Sequence, residues 1–235
     1  MMRMGKKHYV KEFDIELEKL KSSVYRMAQI AETQLQDVME ALRRMSHKGA
    51  EGIIAADEGV DHIEYSLENL CVELLARMQP LASDLRLITT TLKIITDLDR
   101  ISDYSVDIAL RIQQLTSTLP EPVFKRLYEM SKISQEMLKF AIQAYVSGAL
   151  EGLEDNVKKR EERVDDLFHE FISKPLLGFP EENVGHLPVV STVLISKYLE
   201  RIADHCTNIA SRVYYMVEGR RVNLNLRTRP ELVRG

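Results

Sequence analysis

The chain has 235 residues, of which 45% are hydrophobic and 29% are charged, and its formal net charge at pH 7 is −4. This composition excludes a disordered protein, and the net acidity argues against a nucleic-acid-binding protein, which normally presents a basic face. The low content of turn-forming residues, 10 glycines and 7 prolines, favours long helices over a β-sandwich or barrel.

Apolar residues recur at steps of three and four along most of the chain, which is the period of an amphipathic helix. Gly49 and Gly52 are expected to separate the first two helices, and Pro80 to end the second, because proline cannot continue the hydrogen-bond ladder. The pattern predicts six helices, over about 10–45, 53–78, 83–115, 122–147, 153–172 and 189–217.

Three further segments bear on the fold and the location of the protein. A loop rich in helix breakers is predicted at 174–188, and the polar, basic tail from Gly219 onward is expected to be mobile. The N-terminus lacks the apolar segment of a secretory signal, and no apolar run is long enough to span a bilayer. We therefore expect a cytoplasmic protein, in which Cys71 and Cys206 are reduced core thiols.

An internal repeat relates the two halves of the chain. The stretch Asp97–Ala109 returns as Tyr198–Ala210, with Arg, Ile and the closing Ile-Ala in matching positions. A second correspondence joins 57–61 to 161–165 at nearly the same offset. The sequence therefore predicts an all-α fold of two tandem three-helix bundles related by pseudo-symmetry, with the first repeat at 1–118 and the second at 119–235.

Each repeat carries two pairs of carboxylates four residues apart, a spacing that puts both side chains on one face of a helix. Like charges at this spacing repel, so four such pairs at repeat-equivalent positions indicate that a cation lies against them. Carboxylate oxygens suit hard cations such as Mg²⁺, Ca²⁺ or Mn²⁺, and iron and zinc are also compatible. The candidate metal ligands are Asp57, Asp61, Asp99, Asp103, Glu161, Asp165, Glu200 and Asp204.

Other interpretations of these pairs remain open. A single acidic pair is more often a solvated surface feature than a ligand set, and Arg100 and Arg201 stand next to the pairs, where they could neutralise them without metal. His169 follows Asp165 by one helical turn, but its counterpart in the first repeat is Tyr65, so a surface role is favoured. A carboxylate-bridged oxidase or hydrolase is the enzymatic alternative, although such bundles usually also use histidine ligands.

The motif Leu98–Tyr104, repeated at Leu199–His205, resembles the doubled signature of the PhoU family, and the segment Gln79–Arg86 is similar to that family's stretch after the second helix. Ser102 and Tyr104 depart from the family's usual Gly and His, and the change at Ser102 bears on how closely helices approach there.

The resemblance implies metal clusters held by the eight acidic positions, with iron favoured over zinc, manganese or magnesium. It also implies a non-enzymatic negative regulator of phosphate uptake and phosphate-starvation signalling. The implied partners are the ATPase subunit of the phosphate ABC transporter and a membrane sensor histidine kinase, so association with the membrane would be peripheral, through these partners. A homodimer is expected as well.

Overall fold

The computed structural model of the protein describes residues 3–180 and 186–224, with side chains from residue 12 onward. Within these residues the chain forms six α-helices and no strand, so the predicted all-α class is confirmed. The helices are α1 (Arg3–Arg44), α2 (His47–Met78), α3 (Ala82–Ile112), α4 (Glu121–Ser147), α5 (Leu153–Ser173) and α6 (His186–Glu218).

The helices pack as two three-helix bundles, as the repeat predicted. In the first bundle α1, α2 and α3 all contact one another, whereas in the second α4 and α5 each pack on α6 and on each other. The bundles join along two lines, α3 against α6 and α1 against α4. Ile101 and its counterpart Ile202 are both fully buried, each at the midpoint of its repeated motif.

The predicted break between the first two helices was too long. Helix α2 begins at His47, so Gly49 and Gly52 lie inside it. The turn is tight because Met45 takes a positive φ of 54° and the Ser46 hydroxyl caps α2 by accepting a hydrogen bond from the Gly49 N–H at 3.0 Å. A Cβ at Gly49 would stand 3.0 Å from Ser46 Oγ and 3.3 Å from Ala41 Cβ, so glycine at this position permits the close approach of the two helices.

Two boundaries in the second half also differ from expectation. Helix α6 already includes Pro188, which sits in the first turn, where no backbone N–H is required. After α6 the chain packs back on the bundle: Leu224 is buried, and its N–H donates to the Ser211 hydroxyl at 3.3 Å. The expected mobility of the tail is therefore wrong at Leu224, and its remainder, 225–235, lies outside the described residues, as do 181–185 of the predicted loop.

Both cysteines lie in the core, as predicted. Cys71 and Cys206 are buried and form no disulfide. Burial raises the pKa of the Cys71 thiol to about 12, with a smaller contribution from nearby Glu68. Both thiols are therefore protonated and serve as packing groups.

The seam between α3 and α6 contains a buried ionic group. Asp97, only 3% exposed, accepts a hydrogen bond from His205 Nδ1–H at 2.9 Å and forms an ion pair with Arg212. The pseudo-symmetry exchanges this contact with a different one, since Tyr198 is the counterpart of Asp97 and Tyr104 that of His205. Those two tyrosines stack with ring centroids 6.0 Å apart. The seam between α3 and α6 thus has a charged contact at one position and an aromatic contact at the pseudo-symmetric position.

We expect Asp97→Ala to lower the free energy of unfolding by about 3 kcal/mol, because it leaves the Arg212 guanidinium and the His205 ring without their buried acceptor. Urea denaturation followed by circular dichroism measures the change. The control is Glu40→Ala, which removes an exposed ion pair with Arg44 and should cost less than about 1 kcal/mol. Equal losses in the two variants would contradict a stabilising role for the seam.

Candidate metal centre

Helix α3 presents different residues to each of its neighbours. Asp97 faces α6, and because each residue advances the helix by about 100°, Asp99 points to nearly the opposite side. There Asp99 and Asp103 lie on the face of α3 that packs on α2, the antiparallel neighbour that ends at Met78, two residues before Pro80. On α2, Asp57 and Asp61 lie one helical turn apart.

Asp99 is the most buried carboxylate of this group. The residue is 8% exposed, and its Oδ1 atom has no hydrogen-bond partner. Burial and, after it, the charges of Glu64, Asp103 and Asp61 together raise the pKa of Asp99 to about 7, against a smaller opposing effect of Arg100. A carboxylate in this position is stabilised by a proton or by a cation.

Asp57 completes the group from the side of α2. Its Oδ1 is also buried without a hydrogen-bond partner, and its pKa is raised by burial and then by the charges of Asp103, Asp61 and Asp107. The carboxylates of α2 and α3 therefore act on each other across the helix pair. We call this group the first cluster; it consists of Asp57, Asp61, Glu64, Asp99, Asp103 and Asp107.

Arg100, a cation next to the first cluster, lies at the exposed edge of the cluster. Arg100 Nη1 stands 2.7 Å from Asp103 Oδ2, and more than half of the arginine side chain is exposed. The predicted neutralisation by arginine therefore reaches Asp103. The Oδ1 atoms of Asp99 and Asp57 remain without a donor.

The second cluster lies between α5 and α6 and is organised differently. Lys197 Nζ contacts Glu200 Oε2 at 2.7 Å, and Arg201 Nη1 contacts Asp204 Oδ2 at 3.2 Å. Three of the four carboxylates are buried. We define the second cluster as the acidic residues Glu161, Asp165, Glu200 and Asp204.

Sequence reasoning missed two members of these sites. Glu64 follows Asp61 by three residues on the same helix face, a spacing that could have drawn attention to it. Lys197 precedes Glu200 by three residues and was visible in the same way. His62 and His169 are both exposed, in line with the surface role favoured for His169.

Ser102, the departure from the family's glycine, lies on a third face of α3. It is fully buried, and its hydroxyl donates to the Gln34 side-chain oxygen on α1. Tyr104 points to the seam, where it stacks on Tyr198 and lies 5.8 Å from the His205 ring. Neither departure touches the acidic positions.

The donor chemistry of the clusters fits a hard cation. As the side chains lie, no three His, Cys, Asp or Glu residues in the described ranges are already arranged to hold a metal ion. The first cluster nevertheless brings carboxylate oxygens from two packed helices together, and two buried oxygens, Asp57 Oδ1 and Asp99 Oδ1, lack any donor. Oxygen ligands of this kind are those preferred by Mg²⁺ and Mn²⁺, and iron accepts them as well.

The fold and the acidic clusters define a class: all-helical proteins built from duplicated three-helix units with carboxylate-rich faces. The family model described as "PhoU domain" matches the chain twice, at residues 24–112 and 127–213. The chain therefore belongs to the PhoU family, and the resemblance noted from its motifs is confirmed.

Individual relatives agree with this assignment. The chain is 36% identical over 216 residues to the phosphate-specific transport system accessory protein PhoU homolog of Clostridium acetobutylicum, covering 92% of this chain and 98% of that one. It is 30% identical to the PhoU accessory protein of Escherichia coli, covering 91% and 88%. The crystal structure of PhoU from Pseudomonas aeruginosa superposes with a TM-score of 0.81 at 29% identity, covering 88% of this chain and all of that one.

Streptococcus pneumoniae provides a second similar structure, of a phosphate transport system regulatory protein PhoU. It superposes with a TM-score of 0.80 at 27% identity and covers 89% of this chain and 99% of that one. In the described part of the present chain, no helix has the length and apolar character required to cross a membrane.

The raised pKa of Asp99 predicts a pH dependence of stability in protein treated with a chelator. The folded chain holds the Asp99 proton more tightly than the free side chain, whose pKa is 3.8, so the contribution is complete below about pH 4 and is lost as the pH rises through about 7. Between pH 5 and pH 8 we expect the wild type to lose more stability than Asp99→Asn, measured as the midpoint of urea unfolding. Asp37→Asn, an exposed change on α1, is the control and should lose as much stability between pH 5 and pH 8 as the wild type. The same loss in Asp99→Asn as in the wild type would contradict the prediction.

Proposed function

We propose that this chain is a non-enzymatic, metal-binding regulator of phosphate uptake and phosphate-starvation signalling. Membership of the PhoU family supports the phosphate role, because its relatives are named as accessory proteins of the phosphate-specific transport system. The first cluster supports the metal role. The observation that carries it is the pair of buried, donor-free oxygens of Asp57 and Asp99 within a group of mutually repelling carboxylates.

The metal would be held by carboxylates from two helices of each bundle. Its charge would offset the repulsion within each group and tie α2 to α3 and α5 to α6. Iron is our first choice, and zinc, manganese and magnesium are the alternatives. The proposed ligands are Asp57, Asp61, Asp99, Asp103, Glu161, Asp165, Glu200 and Asp204.

The regulator would act on the cytoplasmic side of the membrane through protein partners. We propose the ATPase subunit of the phosphate ABC transporter and the membrane sensor histidine kinase as these partners, and a homodimer as the working form. Association with the membrane would then be indirect. Such a role requires a protein surface that changes when the metal binds. Long helices linked by a cation can provide such a surface.

The described side chains favour regulation over catalysis. A carboxylate-bridged oxidase or hydrolase would be expected to place histidine among its metal ligands. Here His62 and His169 are exposed, whereas His205 donates to Asp97 in the seam. The ligands of a carboxylate-bridged enzyme are therefore incomplete among the described histidines, and the metal experiment tests this alternative directly.

The metal proposal predicts that protein purified without chelator contains metal, and that the double variant Asp103→Asn/Asp204→Asn loses it. Each change keeps the side-chain shape but removes a charged ligand, so the helical content should remain at the wild-type level. Elemental analysis by plasma mass spectrometry, with circular dichroism in parallel, checks both statements. Asp37→Asn is the matched control. Full metal content in the double variant would show that these residues are not the ligands, and metal-dependent turnover of dioxygen or a phosphoester would favour an enzyme.

The partner proposal predicts that tagged protein isolated from membranes brings down the ATPase subunit and the sensor kinase, identified by mass spectrometry. Deleting the coding region should leave phosphate-starvation genes switched on in high phosphate, because a negative regulator is missing. A reporter of those genes measures the effect. Normal repression in the deletion strain would contradict the regulatory role, whatever metal the protein binds.

A further inference from the structure

The two clusters differ in charge at three repeat-equivalent positions, and all three differences make the first cluster more negative than the second. Where the first cluster has Glu64, the second bundle has Phe168. Asp107 is replaced by Asn208, and Thr96 is replaced by Lys197. The first cluster therefore has two more carboxylates than the second and lacks one cation that the second has.

The contacts of Lys197 show how its charge offsets that of the second cluster. Its ammonium group contacts Glu200 Oε2 at 2.7 Å and lies 4.8 Å from the centre of the Phe168 ring, which fits a cation–π contact. Glu200 is almost fully buried, whereas one third of the Lys197 side chain is exposed. The lysine thus reaches a buried carboxylate from the surface with its flexible stem.

The equivalent place in the first bundle contains no lysine. Thr96 lies there instead, within hydrogen-bonding reach of Glu64. Nearby, Asp99 is more than nine-tenths buried, and its Oδ1 has no partner while it faces the charges of Glu64, Asp61 and Asp103. The first cluster therefore presents a buried acceptor without a donor, whereas in the second cluster Glu200 accepts from Lys197.

We propose that Lys197 is a built-in counter-ion of the second cluster that competes with a divalent cation, so that the first cluster binds the cation more tightly than the second. The inference rests on the proposed metal function and adds an order to it: the first cluster fills at low metal concentration, and the second fills when Lys197 swings out to solvent. With two unequal sites, the protein would keep a cation bound at the first cluster at all times. The second cluster would then respond to changes in the concentration of free cation.

Electrostatics gives the direction of the effect. A divalent cation at the carboxylates would lie within a few ångströms of the Lys197 ammonium, and like charges at such distances repel strongly near a protein surface. Glu200 would also have to exchange one cation for the other, so part of the metal's interaction energy replaces an existing ion pair. Removing the ammonium removes both costs.

The test is a titration of Mn²⁺ into chelator-treated protein, followed by isothermal calorimetry and by the electron paramagnetic resonance signal of free Mn²⁺. We expect the wild type to show a tight class of sites and a weak class. Lys197→Thr, which copies the first-repeat residue, should tighten the weak class by at least about tenfold. Asp99→Asn should remove the tight class and leave the weak one. Lys139→Thr, an exposed lysine on α4, is the matched control and should leave both classes unchanged.

The reciprocal exchange gives a second, independent readout. Thr96→Lys should weaken the tight class, because it places an ammonium next to Glu64. In a thermal melt without metal, Lys197→Thr should be less stable than the wild type, since buried Glu200 loses the ammonium group at 2.7 Å and keeps Arg201 Nε at 3.8 Å. Mn²⁺ should raise the melting temperature of this variant more than that of the wild type.

The outcomes distinguish failure of this inference from failure of the proposed metal function. Two equal classes of sites in the wild type, or a weak class that Lys197→Thr leaves unchanged, would overturn the inference and leave the metal function standing. Absence of Mn²⁺ binding in all variants, together with absence of metal in the native protein, would overturn the metal function and the inference with it.

Discussion

The arrangement of the protein depends on the three faces of helix α3. One face packs on α6 and closes the seam through Asp97, a second packs on α1, where Ser102 donates to Gln34, and a third turns Asp99 and Asp103 toward α2. Because one helix serves all three contacts, the position of the carboxylates is tied to the packing of both bundles. A shift of α3 along α6 would therefore move Asp99 and Asp103 relative to the carboxylates of α2.

Burying carboxylates is costly unless a donor, a proton or a cation compensates. The seam meets this requirement with protein groups, since His205 and Arg212 both contact Asp97. The second cluster also does so, through Lys197 and Arg201. The first cluster does so only at its edge, which leaves a proton or an external cation to compensate Asp99. This difference is what points to a ligand.

The fold was predictable because periodicity and repetition act over many residues. The apolar spacing located all six helices, and the repeated motif paired the bundles. The errors occur at helix boundaries that depend on a local contact. At Gly49, for example, the Ser46 cap and the positive φ of Met45 make a turn that is shorter than the glycines suggested. The acidic faces followed from spacing, but spacing on one helix cannot show that Asp99 is buried or that Lys197 reaches Glu200, because both depend on the neighbouring helix.

The two repeats share the same helix packing but differ in the polar side chains placed on it. Across the seam, Asp97 with His205 and Tyr198 with Tyr104 occupy the same geometry with unrelated interactions. At the clusters, Thr96 and Lys197 repeat this pattern. A helix pair tolerates such exchanges because the buried apolar residues, among them Ile101 and Ile202, hold the spacing whatever the polar side chains do. Two clusters that share one architecture thus differ in their own counter-ions through a single side chain, Lys197 in place of Thr96.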